Sequence, residues 1–266
     1  MSMNGPRIAA FLSSCLAAAF WMAAAVRGEG LIENDYKGSQ FEILLRDKGI
    51  ATDTAALVRN LEQQEDDQVR AWSADVLGYR HETAGMSALR KAAEKDPSWL
   101  VRESAYLALA RLGDASVLPA LEELMRTDEH GHKAFLAGQL AELGDVSGYE
   151  YVRQAARSEA SYERAYSARY FSQFMAARGD RRLSSDPFQE LVALGEDKDP
   201  DVREHALLCL GEASFHGVDS AEVIAAMSAL AERETDPKLR EAAHRQIRSV
   251  ELRRDEAARK GKQQQR

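Results

Sequence analysis

The chain has 266 residues, 45% of them hydrophobic, with 35 basic and 43 acidic side chains, a formal net charge of −8 and two cysteines. An acidic balance disfavours nonspecific contact with a phosphate backbone or an anionic membrane, which need a basic footprint, so no nucleic-acid partner is expected. With only Cys15 and Cys209 present, packing rather than a disulfide framework must hold the fold.

In chain order, residues 1–27 come first: Arg7 precedes an uncharged apolar run from Ile8 to Val26, ending in Ala23-Ala24-Ala25. This reads as a secretory signal peptide and implies an exported, periplasmic or secreted protein. The length of the run also allows an uncleaved N-terminal anchor, and Leu12-Ser13-Ser14-Cys15 resembles a lipobox whose cysteine would be lipidated. Either would be the chain's one route to a membrane. Residues 28–49 follow as a linker and a short capping helix, with Ser39 as N-cap, Gly49 as stop, and Phe41, Ile43, Leu44 and Leu45 grouped to cover the end of a stack.

Residues 50–250 repeat. A basic residue recurs at Arg70, Arg102, Lys133, Arg164, Arg203 and Arg240, in steps of 32, 31, 31, 39 and 37. Periods of this size mark units of two helices that cannot bury their apolar faces alone and must stack. First helices are expected after Asp53, Glu82, Asp114, Asp145, Asp186 and Asp219. Second helices follow acidic turns, three of which carry proline: Asp96-Pro97, Asp199-Pro200 and Asp236-Pro237.

Counting from the recurrent basic residue, position +3 is small in five of six units (Ser73, Ala105, Leu136, Ser167, Ala206, Ala243). Position +7 is always apolar (Leu77, Leu109, Leu140, Phe171, Leu210, Ile247). At about 100° per residue these share a stripe with position −1. Two insertions, Gly179 to Ser185 and Ser214 to Val218, account for the long steps. The polar, basic segment 251–266 is expected to fray into disorder.

The segments Asp66–Gly78, Asp96–Gly113 and Asp199–Gly211 resemble HEAT-like repeats of the short bacterial kind named for phycobilisome lyases. The resemblance implies an all-α fold, a right-handed α-α superhelix or solenoid of about six helical pairs. It also implies an ion-pair ladder between units, for which the candidates are Asp66 or Asp67 with Arg70, Asp96 with Arg102, Asp128 with Lys133, Asp199 with Arg203, and Asp236 with Arg240. Units three and four depart from the pattern: Lys133 replaces arginine, and His132 and Glu163 replace the apolar residue before it, so looser or specialised stacking is expected there.

No cofactor is expected. The Asp128–Lys133 turn holds His130 and His132 among carboxylates, ligand types that zinc accepts, but at a spacing that matches no metal motif. A single His81-Glu82 dyad is too few for the two-iron site of the HEAT-repeat hydroxylase it resembles. Cys209, inside an apolar helix, reads as a packed side chain.

The sharpest surface signal is aromatic. Tyr162, Tyr166, Tyr170 and Phe174 recur every fourth residue in unit four, and position +2 holds Trp72, Phe135, Tyr166 and His205 in different units. Stacking would align these along the second-helix, concave face beside Arg169, as a protein-binding hot spot uses them. The sequence thus points to a non-enzymatic scaffold that binds a protein or peptide on that face, with a metal-dependent or enzymatic use of the Asp128–Lys133 turn as the alternative.

Overall fold

A computed structural model describes residues 39–127 and 131–264. The expected leader with Cys15, and the turn residues Asp128 and His130, lie outside them. Thirteen α-helices and no strand occur among the described residues. The described residues form two compact units, 39–127 and 131–264.

In the first unit, α1 (Ser39–Asp47) is followed by α2 (Thr54–Gln63), α3 (Asp67–Tyr79), α4 (Met86–Lys95), α5 (Trp99–Arg111) and α6 (Leu118–Thr127). The short helix α1 packs on α3, burying Leu45 completely and stacking Phe41 on Tyr79 at 6.1 Å. The main packing partners are the second helices α3 and α5. They approach closely because position +8 of α3 is Gly78: a Cβ there would stand 2.6 Å from the Ala108 Cα.

The second unit contains α7 (Lys133–Glu142), α8 (Tyr149–Ala155), α9 (Ser161–Gln173), α10 (Pro187–Leu194), α11 (Pro200–Glu212), α12 (Ser220–Arg233) and α13 (Pro237–Gln264). The second helices α7, α9, α11 and α13 form a packed row, each against the next, with α8, α10 and α12 as the first helices of their pairs.

The stripe read from the repeat is the core of both units. Every +3 and +7 residue is buried, from Ser73 and Leu77 to Ala243 and Ile247. This holds in units three and four as well, where Leu136, Leu140, Ser167 and Phe171 are closed off and His132 is buried at position −1. The departures in those units therefore do not loosen the stripe.

Starts follow the caps. Asp53, Asp114, Asp186 and Asp219 each accept a backbone N–H two or three residues ahead, satisfying donors that a helix start leaves open, whereas Glu82 makes no such bond. Pro187, Pro200 and Pro237 begin their helices, while Pro97 falls in the turn before Ser98.

The expectation of disorder from residue 251 is corrected: α13 continues to Gln264. Its arginines, glutamates, alanines, lysines and glutamines are strong helix formers, so a segment too polar for a core still propagates a helix already anchored at Val250.

Candidate functional site

The recurrent arginines make one motif three times. Arg70 donates from Nε and Nη2 to both oxygens of Asp96, at 2.9 Å each, and from Nη1 to the carbonyls of Gln64 and Glu65. Arg164 holds Asp197 at 2.7 and 2.9 Å and bonds the carbonyls of Ser158 and Glu159. Arg203 holds Glu234 at 2.8 and 3.0 Å and bonds those of Asp197 and Lys198. Each guanidinium thus closes its own turn and clamps the turn of the next unit. The fork geometry suits a bidentate carboxylate. Arg164 and Arg203 pull the carboxyl pKa values of Asp197 and Glu234 below their ordinary values.

This corrects the expected pairing. The arginines are right, but their carboxylates lie one unit further on. Asp66, Asp199 and Asp236 are spent as N-caps, accepting from the backbone N–H of Gln68, Asp201 and Lys238, and Asp66 also meets Lys48 at 2.7 Å. Asp96 clamps Arg70 rather than Arg102, and Arg102 instead donates to the carbonyls of Asp96 and Pro97. Arg240 likewise closes on the Glu234 carbonyl. Asp128, the expected partner of Lys133, lies outside the described residues.

Sequence reasoning missed Asp197 and Glu234, although both stand six residues before the next basic residue, as Asp96 does. At that position the two intervening units carry Thr127 and Ser158. Opposite Ser158 the basic residue is Lys133, whose ammonium lies 5.3 Å over the Tyr151 ring.

The second-helix face of residues 131–264 brings together five of the six predicted contact residues. Phe135 on α7 meets Tyr170 on α9 edge-on at 6.5 Å, and Tyr166 on α9 meets His205 on α11 edge-on at 6.2 Å. His132 backs Phe135 at 5.7 Å. Phe135, Tyr166, Arg169, Tyr170 and His205 are all half-buried, held by packing yet open to contact. At Gly138 of α7 a Cβ would meet the flexible amide end of Gln173 and stand 3.0 Å from Tyr170 Cδ1 on α9. The unit-four aromatics divide by depth: Tyr162 is exposed, Tyr166 and Tyr170 are intermediate, and Phe171 and Phe174 are core, flanking Tyr149 at 5.9 and 4.9 Å.

Trp72 departs from that series. It belongs to the first unit and is only 4% exposed, with Lys48 5.5 Å above its ring. The corresponding face of α3 and α5 carries a closed polar cluster. Ser104 donates to Asp75 at 3.2 Å, Arg111 lies 3.8 Å from the same carboxyl, and the Arg111 guanidinium covers the Tyr79 ring at 4.0 Å while donating to its hydroxyl. Burial raises the Asp75 pKa to about 7, with Arg111 and Ser104 opposing the shift and Glu103 adding to it.

Residues 54–134 match the family model of HEAT repeats. That stretch is similar to HEAT repeats. Solved structures that the chain resembles include an engineered protein, 18% identical, covering 76% of this chain and 98% of that one at a TM-score of 0.41. A second is the complex of CpcE and CpcF of phycocyanin lyase from Nostoc sp. PCC7120, 17% identical, covering 80% of this chain and 88% of that one at 0.42. Likeness at this level carries nothing about ligand or activity. No curated protein matches the chain.

Against the repeat period of the basic residues, both insertions fall in one place. The 179–185 loop and the 214–218 loop line a single cavity of about 600 Å³ with Met175, Arg178, Asp180, Leu183, Asp186 and His216 among its walls. Arg178 ties it together, bonding Asp186 at the start of α10 and Glu222 on α12, with its guanidinium 5.1 Å over Phe188. Every nitrogen of that guanidinium is thereby engaged, so Arg178 serves as a latch.

Among the described residues no three His, Cys, Asp or Glu side chains form a metal-holding group. Of the two turn histidines, His132 points into packing and His130 is outside the described residues. Cys209 is half-buried, and desolvation, then Glu212, pushes its thiol up to about 12, which keeps it a poor nucleophile at neutral pH.

Proposed function

We propose that this HEAT-like repeat protein is a non-enzymatic binding or scaffolding module, exported from the cytoplasm, that holds a protein or peptide along the second-helix face of α7, α9 and α11. The observation that carries this reading is the linked series of half-exposed rings, Phe135 to Tyr170 and Tyr166 to His205, on consecutive stacked helices. Rings with two side-chain torsions lose little entropy on binding, and Arg169 beside them adds a planar cation that stacks and donates. The Arg164 clamp on Asp197 ties the turn before α9 to the turn before α11.

The test is crosslinking and affinity purification from the native cell envelope, followed by direct binding to the partner so identified. A Phe135→Ala, Tyr166→Ala, Tyr170→Ala variant should keep its helical circular dichroism and lose at least tenfold in affinity. Undiminished binding by a folded variant overturns the assignment of the face.

A further inference from the structure

Charge is segregated within the second unit. Helix α13 carries nine basic and four acidic residues, whereas residues 186–236, just before it, carry three basic and thirteen acidic. In a chain of net −8 this makes the last helix a basic pole beside an acidic one.

The repeat register explains where the basic pole points. Positions +4 and +8 of a second helix face the following unit, and where α9 and α11 follow they are closed off: Ala137 and Ala141, Ala168 and Ser172. Leu207 and Gly211 are equally buried beneath α13. In α13 the same positions are His244 and Arg248, both exposed. That face of α13 is polar and unsuited to an apolar helix.

Beyond Val250, the last fully buried residue, α13 continues for 14 residues, about 21 Å at helical rise. Arg253 still folds back to the Gly211 carbonyl and over the Phe215 ring, whereas Arg259 and Lys260 lie nine and ten residues past Val250, about 14 and 15 Å along the helix and more than one screening length at physiological salt. Arg248, Arg259 and Lys260 are exposed and form no ion pair among the described residues, and neither do Asp201, Glu204 and Glu232 on α11 and α12.

We propose that the basic face and extension of α13 dock on the acidic α11–α12 surface of a second copy of this chain, giving a salt-sensitive, head-to-tail self-association. A membrane or nucleic acid would present an extended anionic surface to the whole acidic chain. A carboxylate patch on another copy meets only the helix. The contact joins two different surfaces, so it builds a ring or an open filament according to whether its rotation closes.

Sedimentation velocity of the full chain over a range of concentrations in 25 mM and 500 mM NaCl tests this. Mass should rise with concentration at low salt and return to monomer at high salt. Arg248→Glu, Arg259→Glu, Lys260→Glu should abolish the rise, as should Glu204→Lys, Glu232→Lys. Mixing the two variants should restore it, because each then offers what the other lacks. Unchanged melting temperatures separate lost association from lost fold. A wild-type chain that stays monomeric at low salt overturns the proposal, as does association that survives either reversal. Pelleting of a monomeric chain with phosphatidylglycerol vesicles would also overturn it and assign the basic helix to a lipid surface instead.

Discussion

The second-helix face is closed in the first unit and open in the second. On α3 and α5, Trp72, Asp75 and Ser104 are buried, whereas on α7, α9 and α11 the same two repeat positions, +2 and +5, hold half-exposed Phe135, Tyr166, Arg169 and His205. Both are built on the same stripe at +3 and +7 and carry the same arginine clamp. The difference teaches that the repeat sets which positions reach the face, and local packing sets whether they remain available. A buried face must satisfy its own polar groups, as the Asp75, Ser104, Arg111 and Tyr79 cluster does. An open one leaves rings for a partner.

The largest break in this comparison should come from Trp72→Ala, which removes a buried indole and is expected to cost about 3 kcal/mol of unfolding free energy. Tyr166→Ala, at the same repeat position but half-exposed, should cost about 1 kcal/mol. Urea unfolding of both variants checks it, and equal losses would mean that the two faces do not differ as described.

Next is the pH response of the closed face. The folded Asp75 carboxyl titrates near 7 against an ordinary 3.8, so between those values the folded state holds the extra proton. Stability from this group is therefore greatest at low pH and declines as pH rises through 7. Relative to wild type, Asp75→Asn should gain melting temperature from pH 5 to pH 8; a gap that stays constant across that range would contradict the buried, near-neutral carboxyl.

The smallest effect should come from what the two regions share. Lys133→Arg with Ser158→Asp writes the clamp into a unit that lacks it and should add about 1 kcal/mol, more than the two single changes together. A double-mutant cycle by chemical denaturation measures the coupling, and its absence would show that the clamp needs more than these two residues.

Much of the fold was legible in the sequence because its determinants are local and periodic. Caps such as Asp53 and Asp219 announce helix starts, and the +3 and +7 stripe follows from 3.6-residue geometry. The arginines were legible as scaffold but their partners were not, since a carboxylate 26 to 33 residues away becomes a neighbour only on stacking. The aromatic series was legible as a position. Its exposure was not, and Trp72 shows why: period assigns a side chain to a face without saying what else covers that face.

By itself, then, the sequence determined the all-α repeat, the register of each second helix and the charge contrast between α13 and the residues before it. Those are properties of spacing and composition. Only the tertiary structure decided which carboxylate each arginine clamps, which rings stay half-exposed, that two separate insertions share one cavity, and that the basic tail remains helical. Each of these depends on contacts between residues far apart in the chain, or on a helix anchored by such contacts, and short-range pattern does not encode them.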